Sequence, residues 1–309
     1  MKQILVIKLG ALGDFFMAQE AFRAIRHHHA DAAITLLTIP SLVALARLSG
    51  LFDEIVEDPR ARTPLAYWRV AQRLRRGQFD FVYDLQGNRR TAWYWRLLWP
   101  KRPSWSGPVS GCSHPRPTRP ARQSRTEWMR AQLSAVGLSV PEDTDIAWLR
   151  EDISDLNVPK QFALLVAGGS AHRPGKRWPA DHYSCIAEML VTRDIVPVLI
   201  GTAIDAAVNQ EIRARVPPAL DFSDKTSIPG LASLARGACG ALGNDTGPMH
   251  VIAATGCPSV VLFSNESDPE FTAPTGGCVQ WLQRDHLGSL TPEEVQQAIQ
   301  SCWRWPRRF

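Results

Sequence analysis

Hydrophobic and polar positions along the chain set up two series of alternating elements. Residues 3–9 form an apolar run of strand length, interrupted at Lys8, and Gly10-Ala-Leu-Gly13-Asp14 separates it from a helical pattern over residues 15–28. The alternation continues with a strand at 33–38, a helix from Ser41, a short strand near 54–56, a helix at 64–76 and a strand at 79–85. Strand and helix units repeated in this way predict an open parallel sheet. Regularity fades between 89 and 125, where six prolines from Pro100 to Pro120 break any long helix, so a helix followed by a long surface loop is expected. A helix at 124–136 closes the first half, and the acidic, aperiodic stretch 137–160 reads as a linker. A second series then runs through a strand at 162–166, a helix at 180–192, a strand at 195–200, a helix from about Ile204, and elements at 220–222 and 228–235. It ends with strands at 238–242, 259–263 and 278–282, a small-residue helix at 251–255 and a last helix at 291–301. The expected class is α/β, with Rossmann-like domains at 1–155 and 156–309, parallel sheets facing across a central cleft, and the last helix packing back toward the first domain.

Composition fits that reading. A chain of 309 residues, 45% hydrophobic and 21% charged, can bury two separate cores. Lys8 stops the first apolar run far short of a signal-peptide core or a spanning helix, so a cytoplasmic location is expected. The six cysteines contain no C-x-x-C pair, which suggests neither a zinc site nor a disulfide framework. The net charge of +5 is concentrated in the first half: residues 1–155 hold 22 lysines and arginines against 16 acids, residues 156–309 hold 13 against 14. Residues 89–130 alone carry ten basic side chains against the single acid Glu127, with Trp93, Tyr94, Trp95, Trp99 and Trp105 among them. Two readings stand for this segment: contact with a membrane interface or a phosphorylated amphiphile, or a helix with core-facing tryptophans and solvated arginines. The tail from Trp303 repeats the basic aromatic character. Nothing in the pattern calls for nucleic acid.

The candidate chemistry lies where strands end. Gly243-Asn-Asp-Thr-Gly-Pro-Met-His250 turns from a strand directly into a helix, aiming unpaired N–H groups near Thr246 at an anion, with a hydroxyl on Thr246 and close backbone access at Gly247. The alternative is that Asp245 is only the helix N-cap. Gly168-Gly169-Ser170 offers a second small turn, Lys176 a mobile point charge, and Asp205 a carboxylate four residues past Gly201, suited to ribose hydroxyls. Each also has a plain reading, as a turn, a solvated loop charge and a first-turn helix acid. Asp14 is a helix cap or a working carboxylate. Gly10 and Gly13 do not complete the G-x-G-x-x-G fingerprint, which argues against a dinucleotide oxidoreductase.

Taken together, Lys8-Leu-Gly-Ala-Leu-Gly-Asp14, Asp84-Leu-Gln-Gly-Asn88, Gly168-Gly-Ser170 with Lys176-Arg-Trp-Pro179, the Gly201-to-Asp205 spacing and Gly243-Asn-Asp-Thr-Gly-Pro-Met-His250 make the chain resemble glycosyltransferase family 9, the ADP-heptose:lipopolysaccharide heptosyltransferases. The resemblance implies the GT-B fold. It implies Asp14 as catalytic base, Lys176 on the donor diphosphate, Asp205 on the nucleoside ribose, and the turn of Asp245, Thr246, Gly247, Pro248, Met249 and His250, with Gly169 and Ser170, around the phosphates. Gly13, Gln86, Asn88 and Arg89 fall on the acceptor side. The implied reaction is inverting transfer of heptose from ADP-heptose to a phosphorylated lipopolysaccharide inner-core acceptor, with no metal and no further cofactor, at the cytoplasmic face of the inner membrane. A GT-B transferase for another nucleotide sugar, or a non-catalytic GT-B paralogue, are the alternatives.

Overall fold

The computed structural model describes residues 1–142, 145–169 and 172–305, and the chain divides into two compact units at 144/145. In the first unit β1 (Gln3–Ile7) leads to α1 (Leu12–Phe16) and α2 (Gln19–His28), then β2 (Ala33–Thr38), α3 (Val43–Leu48) and β3 (Glu54–Glu57). The chain continues through α4 (Pro64–Arg76), β4 (Phe81–Asp84), α5 (Arg89–Leu97), β5 (Ser104–Gly107), β6 (His114–Pro115) and α6 (Arg125–Ser134). The six strands are all parallel in the order β3-β2-β1-β4-β5-β6. From β1 the chain works outward to β2 and β3, then returns to start again at β4 on the other side. The order therefore reverses between β1 and β4, and such a switch point leaves a crevice at the carboxyl ends of the two strands. Right-handed crossovers put α4 and α5 together on one face of the sheet.

Both faces of the central strands are covered, which is why Ile4, Leu5, Val6 and Ile7 are all buried and the sequence shows no alternation there. The core includes Leu5, Ile7, Leu37, Leu74, Tyr94 and Trp105. Trp105 marks a departure from the expected surface loop, because residues 104–107 and 114–115 add two strands to the sheet. They are short, rich in serine, glycine and proline, and end at the sheet edge, where Pro115 costs no ladder bond. Helix α6 begins with a reciprocal capping box between Ser124 and Glu127.

A buried charge network pins α5 to the loop after β3. Asp58 is fully buried and accepts from Arg90 Nε (2.6 Å), from Arg90 Nη2 (2.5 Å) and from the Tyr94 hydroxyl (2.7 Å). Asp58→Asn removes the charge while keeping the shape, and is expected to cost about 1.5–3 kcal/mol, the range for hydrogen bonds to charged groups. Thermal unfolding should show a midpoint lower by about 5–10 °C.

The second unit contains β7 (Phe162–Val166), α7 (Ala180–Val191), β8 (Val196–Leu199), α8 (Ala206–Arg215), β9 (Leu220–Asp221) and α9 (Ile228–Gly237). It ends with β10 (Ala241–Asn244), α10 (Gly247–Ala254), β11 (Ser259–Phe263), α11 (Pro269–Thr272), β12 (Val279–Gln283) and α12 (Pro292–Cys302). Its sheet is also parallel, in the order β12-β11-β10-β7-β8-β9, and reverses between β7 and β10. The expected boundary at 155/156 lies too late. Arg236 donates to the carbonyls of Ile146 and Leu149, both at 2.8 Å, and the Ser233 hydroxyl donates to that of Glu151, so the stretch read as a linker is bonded to α9. The last helix takes its place in the second unit. Val295 and Ile299 of α12 belong to the second core with Leu262 and Trp178, since the apolar stripe of α12 matches the uncovered side of β11.

Candidate functional site

At the switch point of the first unit stand the ends of β1 and β4. Asp14 is the third residue of α1, whose N-cap position is Ala11 with no side-chain cap bond, so the cap reading of Asp14 fails. Its carboxylate instead pairs with Arg125, the first residue of α6, and lies 3.9 Å from Lys8 Nζ. Gly10 explains itself here, because a Cβ on it would collide with the Asp14 carboxyl. Lys8 is buried, and burial pulls its pKa down to about 8 against the opposing pull of Asp14. Since the folded value lies below the unfolded one of about 10.5, the unfolded chain binds the extra proton between these limits, and Lys8 adds stability as pH rises from about 8 to 10.5. Urea midpoints of the native chain and of Lys8→Met, compared across that range, should show the native chain gaining on the variant.

The motif after β4 is mostly scaffold. Asp84 is buried, and burial raises its pKa against the opposing bonds from the Thr91 hydroxyl and the Gly87 N–H. Its Oδ1 accepts from Gly87 N at 2.7 Å and Gln86 N at 3.2 Å, closing the turn. Gln86 Oε1 accepts from Leu9 N at 2.9 Å, joining the two strand ends. Asn88 caps α5 through Arg90 N and Thr91 N. The acceptor-side residues therefore divide: Gly13 is buried, Gln86 and Asn88 are engaged by the backbone, and Arg89 is exposed. Sequence reasoning gave no role to Arg125, Lys8 or Arg116. The Arg116 guanidinium donates to the Asp84 carbonyl and stacks on Trp128 at 4.6 Å. The capping box at Ser124 is legible and fixes where α6 starts, but nothing local says that this start abuts α1.

At the switch point of the second unit, buried Asn244 does the joining. Its Nδ2 donates to the carbonyls of Ala167 (2.9 Å) and Gly168 (3.0 Å), while its Oδ1 accepts from Trp178 N and the Tyr183 hydroxyl, both at 3.1 Å. Lys176 is not a solvated loop charge. It is buried in a 3₁₀ turn, and its Nζ lies 2.6 Å from Asp245 Oδ2, which also accepts from the Ser267 hydroxyl at 2.6 Å. Nor is Asp245 the N-cap of α10. Thr246 occupies that position without a side-chain cap bond, and its hydroxyl donates to the Asn244 carbonyl. Among the described residues the N-cap position of α10 thus supplies no capping side-chain bond. Pro248 has no N–H to satisfy.

Asp205 is held by the turns around it. Its Oδ2 accepts from the N–H and hydroxyl of Thr202 (3.0 and 3.1 Å) and its Oδ1 from Gly169 N (3.2 Å), so it clasps the turns after β7 and β8. A Cβ on Gly168 would collide with this carboxylate. Around the clasp lies a cavity of about 280 Å³, with Val166, Ile200, Ile228 and Leu231 on its apolar side and Asp205 and Thr226 among its polar lining. Gly169, Thr246, Gly247 and Pro248 line it too, so five of the donor-side residues meet at one place. Met249 and His250 are buried in α10 and line none of it. Ser170 lies outside the described residues. Sequence reasoning missed Thr202, Thr226, Ser267 and Asn244.

Residues 67–300 match glycosyltransferase family 9 (heptosyltransferase). The chain belongs to this family. Over 94% of its length it is 24% identical to lipopolysaccharide heptosyltransferase 1 of Pseudomonas aeruginosa, covering 84% of that relative. Over 127 residues it is 35% identical to lipooligosaccharide heptosyltransferase 2 of Haemophilus influenzae, a match of 37% of this chain and only 36% of that relative. Among solved structures, the ADP-heptose lipopolysaccharide heptosyltransferase II of E. coli superposes with a TM-score of 0.74 at 20% identity, over 97% of this chain and 98% of that one. An E. coli heptosyltransferase with ADP gives the same score at 18% identity, over 97% and 99%. At these identities the likeness is one of fold: family 9 architecture of the GT-B type, carried here by two six-stranded parallel sheets.

Proposed function

We propose that this family 9 protein is an inverting glycosyltransferase that moves a heptose from ADP-heptose to a phosphorylated lipopolysaccharide inner-core acceptor. The observation that carries the reading is the cavity at the β7–β10 switch point, apolar on one side and edged by the uncapped start of α10 with the Lys176–Asp245 pair beside it. The apolar part suits a nucleobase, and Asp205, with its lone pairs largely committed to the turns, acts on the ribose chiefly by fixing the shape of the slot. The diphosphate falls to the α10 N–H groups and to Lys176, whose ammonium has three donors and spends one on Asp245.

In the transfer the acceptor hydroxyl oxygen bonds to the anomeric carbon as the bond to the diphosphate breaks. The hydroxyl proton passes to Asp14, and ADP leaves with its new charge held by Lys176 and α10. An ionised carboxylate has about four lone-pair sites, so the contact with Arg125 leaves Asp14 able to accept. One attack and one departure invert the anomeric centre. Among the described residues no helix is long and apolar enough to cross a membrane.

Calorimetry with ADP-heptose beside UDP- and GDP-sugars, followed by product analysis, tests the reading. Selective binding of the ADP sugar and transfer of heptose is the expected result. Binding of a different nucleotide sugar replaces the donor, and binding without turnover replaces the enzyme with a silent paralogue.

A further inference from the structure

Large apolar side chains exposed on this protein gather in one region. Of the eight among the described residues, four lie on α4, on α5 and in the turn that follows: Leu65 (53% exposed), Trp68 (53%), Trp93 (50%) and Trp99 (64%). The two helices are neighbours, locked by the Arg90 guanidinium stacked on Tyr67 at 4.4 Å and by Arg75 donating to the Leu97 carbonyl. On the outer side of α4, Arg69, Arg73 and Arg76 accompany Leu65 and Trp68; on α5, Arg89, Trp93 and Arg96 follow one another along a single exposed stripe. Arg96 lies over the Trp93 ring at 5.3 Å.

The charge there is unopposed. No aspartate or glutamate occurs in residues 59–79 or 85–126. Three other cations of the first unit are spent internally: Arg90 on Asp58, Arg125 on Asp14, and Arg130 on Glu20 and Glu142. Tyr94 and Trp105 are core residues. The basic aromatic character read over residues 89–130 is thus half internal, and its outward part is completed by α4, which the sequence reading left out. Beside Trp99 a cavity of about 690 Å³ is lined by Arg75, Lys101 and Arg102, a cationic recess wide enough for a phosphodiester.

Tryptophan held half in water by arginine-bearing helices has no packing explanation. Its amphipathic ring belongs at the headgroup level of a bilayer, where arginine stems lie along apolar surface and their heads reach phosphates. We infer that the outer face of α4 and α5 docks the protein on an anionic lipid bilayer, with Leu65, Trp68, Trp93 and Trp99 entering the interface and the arginines around them on lipid phosphates. The inference stands on this surface and not on the donor or the reaction.

Co-sedimentation tests it, using vesicles of phosphatidylcholine with about a quarter phosphatidylglycerol against pure phosphatidylcholine, at about 0.01 M and 0.15 M salt, where the screening length falls from about 30 to about 8 Å. The full chain is expected to bind the anionic vesicles, more weakly at the higher salt, and to leave the neutral ones unbound. Arg69→Gln with Arg73→Gln and Arg96→Gln should lower the partition coefficient about fivefold per arginine. Leu65→Ser with Trp68→Ser and Trp93→Ser should lower it at least tenfold with circular dichroism and melting unchanged, while Trp281→Ser on the other unit changes nothing. Absence of binding by the native chain at low salt overturns the inference, as does an apolar triple variant that binds like the native chain. A dimer seen by light scattering and dispersed by the triple variant also overturns it, assigning the face to self-association.

Discussion

Asp14→Asn is expected to lower kcat by about 10²–10⁴-fold, the range a positioned general base contributes, with ADP affinity unchanged. The substitution is close to a pure test of proton acceptance. Asparagine has the same outline, so the crowding that makes residue 10 a glycine is preserved, and a side-chain oxygen is still present for Arg125. What is lost is the negative charge between two cations, Lys8 at 3.9 Å and Arg125. Some stability is lost with it, because Asp14 favours the charged form of buried Lys8. Melting curves separate this from catalysis: the variant should melt a few degrees lower yet be folded and bind ADP at the assay temperature. Arg125→Ala keeps the base and removes its partner, so its loss should be smaller and should fall mainly on KM for the acceptor. Retention of more than about a tenth of native kcat by Asp14→Asn removes Asp14 from the role of base.

The outline of the fold was readable because buried parallel strands advertise themselves. Residues 4–7, 162–166 and 260–263 are unbroken apolar runs, each followed within a few residues by a glycine-bearing or small-residue turn. The two strands at 104–107 and 114–115 are not readable, since they are too short to show a period and the prolines in and around them look like loop signals; the burial of Trp105 gives the first away. The strand order is a long-range fact that no local pattern carries, and it is the reversal at β1–β4 and β7–β10 that turns separate motifs into sites. Lys176 shows the limit most clearly. Among His172, Arg173 and Arg177 it reads as a mobile charge suited to an anion or as a solvated loop charge, and only the fold brings it within 2.6 Å of a carboxylate 69 residues away. Asp205 differs: its spacing from Gly201 is a legible signal, but the bonds that its carboxylate accepts from Gly169 and Thr202 are not.

Lys176→Met is expected to lower kcat/KM by about 10²–10³-fold, the loss typical of removing one donor that faces developing charge. The variant also strips a buried pair. Lys176 and Asp245 are each only 10% exposed at the side chain, so the substitution leaves Asp245 with the Ser267 hydroxyl as its bonded partner, at a cost of about 3 kcal/mol. A fall in activity alone therefore cannot separate a diphosphate ligand from a structural pair. The double variant Lys176→Met with Asp245→Asn can. Removing both charges relieves the uncompensated carboxylate and should restore most of the melting temperature, because a pair replaced as a unit costs far less than a pair broken. Activity should stay low, since the positive charge is still missing. ADP completes the cycle: it should raise the melting temperature of the native chain in proportion to the logarithm of its concentration and have much less effect on either variant. Recovery of both stability and turnover in the double variant assigns Lys176 to the fold alone and leaves the start of α10 as the holder of the phosphates.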